Sequence, residues 1–197
     1  MHAAKDELRQ KMRRLRSSLD PREAERLAAL AAPHLIELHD LAAVRRVALY
    51  APVRGEIATR PLHEVLAARG IACAYPRIAR DGSSGPLEFA DATPASLVAD
   101  RLGIPSPAFD APPVPLAEID VFVVPGLAFD LDGERLGWGH GHYDRTLAGA
   151  PGALRIGYAY DFQIVAAVPI DADDEHVDVV VTESGARRTR KPHRRLR

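Results

Sequence analysis

The sequence holds a single cysteine, Cys73, in 197 residues. That excludes an internal disulfide and a zinc cluster built on cysteines. No apolar run approaches about 20 residues, so no transmembrane helix is expected. The opening MHAAKDELRQKMRRLR lacks the apolar stretch of a secretory signal, and a cytoplasmic location is the simplest expectation. Lysine is almost missing: Lys5, Lys11 and Lys191 are the only ones. With none between Lys11 and Lys191, no Gly-Lys-Ser/Thr ending is available for a P-loop. An HExxH zinc motif is also lacking. Hydrophobic residues make up 47% and charged residues 27%, the balance of a soluble globular domain whose length supports a sizeable core.

The net charge of −1 hides an asymmetry. Residues 187–197 (RRTRKPHRRLR) carry seven Lys/Arg and no acid, leaving 19 basic and 27 acidic residues in the rest. Like charges with almost no apolar content do not pack. A single domain over residues 1–186 and a disordered basic tail over 187–197 are therefore expected. Removing the tail should leave turnover and melting temperature unchanged. A solvated extension with no specific nucleic-acid partner is the simplest account of it.

What is present centres on residues 135–145, RLGWGHGHYDR. Just before it, residues 119–130 (IDVFVVPGLAFD) look like a buried strand and a turn. Gly137, Gly139 and Gly141 let the backbone take positive φ and approach a ligand closely. Successive N–H groups in such a loop form an anion-binding concavity, and the start of a helix adds to it. Arg135 and Arg145 bracket the loop with charges suited to phosphate. Asp144 supplies a hard oxygen ligand for a divalent cation. The glycines come too late after the strand for a Rossmann turn. His140, His142, Asp144 and His176 admit a transition-metal reading as well.

The stretch VPGLAFDLDGERLGWGHGHYDRTL resembles the signature of the 5-formyltetrahydrofolate cyclo-ligase family, also called 5,10-methenyltetrahydrofolate synthetase. Weaker matches extend over residues 5–183. The resemblance implies a three-layer α/β/α sandwich with a mostly parallel open sheet. It implies ATP- and Mg²⁺-dependent ring closure of 5-formyltetrahydrofolate, with release of ADP and phosphate. ATP contacts are implied at Lys5 and Arg9, which match an opening Lys-x-x-x-Arg pair. They are implied too at Arg135, Leu136, Gly137, Trp138, Gly139, His140, Gly141, His142 and Tyr143. The folate side would use Val53, Glu56, Trp138 and Tyr143. Catalytic roles fall to Arg145, Tyr143 and Glu56, and Mg²⁺ to Asp144 and Asp174. Small-molecule substrates, no membrane and a monomer are the corresponding expectations. Ser106 replaces a glutamate of the family pattern and is given no role. A nucleotide- or RNA-associated binding module on the same fold is the alternative, and the basic tail would suit it.

The remaining elements follow from pattern. Leu8, Met12 and Leu15 place an apolar stripe on a helix over residues 3–18, beside a basic stripe of Lys5, Arg9, Arg13 and Arg16. Asp20 caps a second helix begun by Pro21 and running to about His39, with Pro33 expected to kink or interrupt it. Residues 44–51 form the first strand, and a helix opens near Thr59 and continues to Arg69. Residues 71–75 form a strand stopped by Pro76, and residues 87–90 a short one. The stretch 111–115 is extended, 142–148 a short helix, and 155–160 and 177–182 the closing strands. Helices alternating with continuous apolar strands indicate an α/β sheet covered on both faces.

Overall fold

The computed structural model describes residues 2–79, 82 and 84–191. Among these residues four α-helices, α1 (His2–Ser17), α2 (Pro21–Ile36), α3 (Arg60–Ala68) and α4 (His142–Ala148), are interspersed with short strands. In chain order the strands are β1 (Arg46–Ala48), β2 (Ala72–Arg77), β3 (Glu88–Asp91), β4 (Val98–Ala99), β5 (Pro105–Ser106), β6 (Pro113–Val114), β7 (Val121–Val124), β8 (Ala128–Phe129), β9 (Arg135–Leu136), β10 (Leu154–Tyr158), β11 (Val179–Thr182) and β12 (Gly185–Arg188). Eight of them form one sheet in the order β12-β11-β10-β7-β1-β2-β3-β6. The pairs among β11, β10, β7, β1 and β2 are parallel, and β12, β3 and β6 add antiparallel edges. This is the expected mostly parallel α/β sheet. Among the described residues no helix is long and apolar enough to cross a membrane.

The strands are apolar without alternation because both faces are covered. Val121 and Val123 join a core with Leu35 of α2 and Leu62 of α3, whereas Phe122 and Val124 join a second core with Leu147 of α4. Two barriers expected from proline are overridden. Pro33 stands inside α2, where the last turn still buries Leu35 and Ile36 and the Glu37 N–H reaches the Pro33 carbonyl at 2.9 Å. Pro76 does not end β2. Pairing with β1 stops at Ala74, and from there β3 alone borders the strand, so the lost N–H breaks little.

The chain end also departs from expectation. Residues 187–191 are docked, not a free tail. Arg187 and Arg188 pair with Val180 and Val179 in the β11–β12 ladder. Thr189 is buried and donates its hydroxyl to the Val177 carbonyl at 2.9 Å. The body's excess acid explains the docking: Arg187 meets Asp161, Arg188 meets Asp40, and Arg190 and Lys191 both meet Asp132. The rest of the expected tail, 192–197, lies outside the described residues.

Sheet order reverses between β1 and β7. Chain following β1 leads to β2 on one side, and β7 returns on the other. In open α/β sheets the crevice beyond the carboxyl ends of such strands binds ligands. The loop after β1 carries Glu56, and the chain after β7 carries the glycine loop.

Candidate active site

Beyond β7, strands β8 and β9 form a hairpin with Phe129 opposite Arg135. Its turn is built on Asp130. One carboxylate oxygen accepts from the Asp132 and Glu134 amides, and the other from the Val168 amide at 2.8 Å. The hairpin buries Leu136 beneath α1 and aims the buried Arg135 guanidinium at Asp144, 2.6 Å away. Gly139 (φ 99°) and Gly141 (φ 67°) then occupy the left-handed region. A Cβ at Gly141 would stand 2.6 Å from the Arg145 guanidinium. Arg145 is exposed and donates to the His140 carbonyl at 2.5 Å. From α1, Arg9 donates to the Gly137 carbonyl at 3.1 Å and packs on Gly139. The structure therefore collects Arg9, Arg135 and Arg145 on one glycine loop, from two distant parts of the chain.

Lys5 is buried and bonds Asp174 at 2.5 Å and Asp171 at 2.8 Å. Both expected metal ligands thus hold a cation of the protein, Asp174 through Lys5 and Asp144 through Arg135. Their segments touch, since the Glu175 amide lies 3.4 Å from Asp144 Oδ1. Asp144 makes these contacts through Oδ1, and Asp174 meets Lys5 and the Asp171 amide through Oδ2. Such a pair fits a hard cation held by one or two carboxylates, phosphate oxygens and water. The histidines are engaged otherwise. His142 Nδ1 meets the Gly85 carbonyl at 2.9 Å, His176 faces Glu134 at 3.5 Å, and His140 stacks on His142. Among the described residues no three His, Cys, Asp or Glu side chains converge as a metal site.

Glu56 sits across from the loop, with its side chain only 5% exposed. Oε1 accepts the Trp138 indole N–H at 3.1 Å, and Oε2 accepts the Val53 amide at 3.1 Å. Burial pushes its carboxyl above the ordinary value of 4.5, against the pull of the Val53 amide, Arg16 and Trp138. The Tyr143 hydroxyl is buried with no partner among the described residues, and burial raises its pKa far above that of a free tyrosine. The Arg135 guanidinium lies 5.7 Å from the Tyr143 ring centre, and Arg135 Nε is itself unpartnered. Buried polar atoms without a partner are uncommon in folded proteins.

Two further residues organise this side. Arg16 of α1 is buried and clamps the loop after β1, donating to the carbonyls of Val53 at 3.0 Å and Arg54 at 2.6 Å. It lies 3.8 Å from Glu56 and supplies the nearby positive charge. In the sequence Arg16 belongs only to a basic stripe, and its i+7 relation to Arg9 is the available signal. Gln163 bonds the Gly126 and Leu127 carbonyls at 2.9 and 3.0 Å, fixing the turn from β7 into β8.

Residues 1–183 match the model of the 5-formyltetrahydrofolate cyclo-ligase family. The chain is 35% identical over 177 residues to the 5-formyltetrahydrofolate cyclo-ligase of Escherichia coli (strain K12), covering 88% of this chain and 97% of that protein. The 5-formyltetrahydrofolate cyclo-ligase of Mycolicibacterium smegmatis is 34% identical over 144 residues, covering 70% and 73%. The structure matches the NMR structure of Aquifex aeolicus 5,10-methenyltetrahydrofolate synthetase with a TM-score of 0.82 at 35% identity, over 98% of this chain and 96% of that one. With sequence and fold matched over nearly its whole length, the chain belongs to the 5-formyltetrahydrofolate cyclo-ligase family.

Proposed function

We propose that the protein converts 5-formyltetrahydrofolate to 5,10-methenyltetrahydrofolate with ATP and Mg²⁺, releasing ADP and phosphate. One observation carries this reading: the Trp138 indole leaves the glycine loop and bonds Glu56 directly, at 3.1 Å. A phosphate-binding loop and a buried carboxylate suited to paired N–H donors thus share one crevice, so a nucleotide and a reduced pterin can meet there.

In this reading the loop amides with Arg9, Arg135 and Arg145 bind the triphosphate. Asp144 and Asp174 hold Mg²⁺, which neutralises charge on the phosphate oxygens when bound. Glu56 accepts the pterin N–H groups, and Val53, Trp138 and Tyr143 enclose the ring. The formyl oxygen attacks the γ-phosphorus, and the bond to ADP breaks with its electron pair on ADP. N10 then attacks the formyl carbon and loses its proton, and the carbon–oxygen bond breaks as phosphate departs with the formyl oxygen. Arg145, at the loop mouth, balances the charge moving with the phosphoryl group. The Tyr143 hydroxyl donates to the formyl oxygen as it leaves the formyl carbon with the phosphate, where negative charge collects.

A binding module without activity has less support, because the basic residues 187, 188, 190 and 191 are taken up by acids of the body. Purified protein incubated with ATP, Mg²⁺ and 5-formyltetrahydrofolate should develop methenyltetrahydrofolate absorbance only when all are present. A flat trace with the complete mixture contradicts the proposal.

A further inference from the structure

Arg16 and Glu56 are a buried charge pair without a direct hydrogen bond. Their side chains are 1% and 5% exposed, and the closest nitrogen and oxygen stand 3.8 Å apart. The guanidinium directs its N–H groups elsewhere, to the Val53 and Arg54 carbonyls at 3.0 and 2.6 Å, and faces the Gly126 carbonyl at 3.5 Å. The two Glu56 oxygens take the Trp138 indole and the Val53 amide, one each. A carboxylate oxygen has two acceptor positions, so one on each oxygen is left. Arg16 thus supplies charge to Glu56 without occupying the positions that a ligand needs.

The chain around Arg16 is shaped to this arrangement. Val53 and Arg54 turn consecutive carbonyls to one Arg16 nitrogen, and Arg54 does so at φ 51°, the only positive φ outside glycine among the described residues. A left-handed arginine is disfavoured and persists only where its surroundings enforce it. Gly55 follows at φ 75°, and a Cβ there would stand 3.3 Å from the Arg16 carbonyl oxygen. The planar fork of an arginine serves both carbonyls and still faces Glu56, which the point charge of a lysine does not.

The other groups around Glu56 do not replace this charge. Tyr50 after β1, Tyr143 of α4 and Tyr160 after β10 lie near the carboxylate, and burial keeps each of them neutral. Arg54, on the same loop as Glu56, pulls on it less than Arg16 does and lies 4.8 Å from the Trp138 ring centre. Arg13, on α1, repels Arg16. Burial raises the pKa of Glu56 and lowers that of Arg16, and each charge opposes the shift of the other.

We propose that Arg16 is a positioning residue for folate binding: it fixes the loop that carries Glu56 and keeps that side chain an acceptor-only carboxylate for a pair of pterin N–H groups. The inference rests on the proposed function, which puts the pterin at Glu56. A neutral carboxyl turns an O–H toward one of those N–H groups and loses the pairing. Tight binding therefore belongs to the ionised form and is lost as pH falls through the Glu56 pKa. Without the Arg16 charge that loss begins about one pH unit higher.

Calorimetric titration with 5-formyltetrahydrofolate near pH 5.5 and near pH 8.5 tests this on the full chain, on R16Q and on R16K, each verified as folded by its melting curve. Both variants loosen the loop and weaken binding at either pH. The ratio of R16Q to native Kd should grow about tenfold from the higher pH to the lower, whereas the R16K ratio, with the charge kept, should stay constant within about twofold. An R16Q ratio independent of pH, or an R16K ratio that grows as much, overturns the inference and leaves Arg16 a scaffold residue. A second measurement needs no change at Arg16. Proton exchange on binding near pH 7.5, read from titrations in two buffers of different ionisation enthalpy, should be the same in the native chain and in E56Q. About one more proton released by the native chain means that Glu56 is neutral before folate binds, and overturns the inference as well. E56Q also separates the two claims. If it binds 5-formyltetrahydrofolate as tightly as the native chain, the folate side of the proposed function fails and takes this inference with it. If it binds weakly while the R16Q ratio is flat, the folate reading stands and the role of Arg16 alone falls.

Discussion

Deleting residues 187–197 is expected to destabilise the protein, the opposite of what a free basic tail predicts. The deletion removes the Thr189 and Arg190 amides from the Asp178 and Leu131 carbonyls, at 3.0 and 2.9 Å. It removes the buried Thr189 hydroxyl from Val177, and the outer half of the β11–β12 pairing. At about 1 kcal/mol net per hydrogen bond, and with chain entropy regained on release, the loss is about 2–4 kcal/mol. The exposed ion pairs to Asp161, Asp40 and Asp132 add little. For a chain of this size the melting temperature should fall by about 5–15 °C. Function should suffer too, because Arg190 grips the turn of the β8–β9 hairpin that aims Arg135. Scanning calorimetry and the KM for ATP measure the two effects, and Thr189→Val isolates the buried hydroxyl. A truncated chain that melts within a degree of the full one and binds ATP equally well refutes the reasoning.

Arg145→Ala should weaken ATP binding by about 1.5–3 kcal/mol, tenfold or more, with little change in melting temperature. Arg135→Ala should weaken it similarly and also destabilise, since Asp144 loses its partner at 2.6 Å; calorimetry that finds ATP affinity unchanged in both contradicts the loop assignment. Glu56→Gln should lower kcat/KM for 5-formyltetrahydrofolate about tenfold with the KM for ATP little changed, and a rise in the ATP KM alone would move this loop to the nucleotide side. Because burial raises the Glu56 pKa, the stability tied to its neutral form is complete below 4.5 and is lost as pH rises through the folded value. Urea titrations across that window should show a smaller pH slope for Glu56→Gln, and an equal slope counts against the raised pKa. Activity should vanish with EDTA and return with Mg²⁺, and Asp144→Asn should abolish most of it; full turnover in EDTA excludes the metal assignment.

Much of the architecture was legible because it follows local rules. Asp20 caps α2 by accepting from the Arg22 and Glu23 amides, as the Asp-Pro pair indicated. The run VFVV is apolar throughout because its residues point alternately into two cores. Failures came where distant chain overrode a local preference. Pro33 and Pro76 are breakers by propensity, yet tertiary packing carries α2 and β2 past them. The basic residues after Ala186 look unpackable until the acids at 40, 132 and 161 are brought alongside. In the site, the glycine loop and its flanking arginines were readable from spacing. Partnerships were not: Lys5 with Asp174, Arg135 with Asp144, and Trp138 with Glu56 join residues that no periodicity relates. Arg16 was hidden for the same reason, as its function is to hold a loop 37 residues away.

In the proposed reaction the two substrates meet in one crevice and the γ-phosphoryl group passes to the formyl oxygen. Substrate labelled with oxygen-18 in the formyl group tests it directly, by mass spectrometry of the phosphate released during turnover with unlabelled ATP. The label should pass from the formyl group into inorganic phosphate, in step with methenyltetrahydrofolate and ADP. Product formed with unlabelled phosphate, or without ADP, contradicts it.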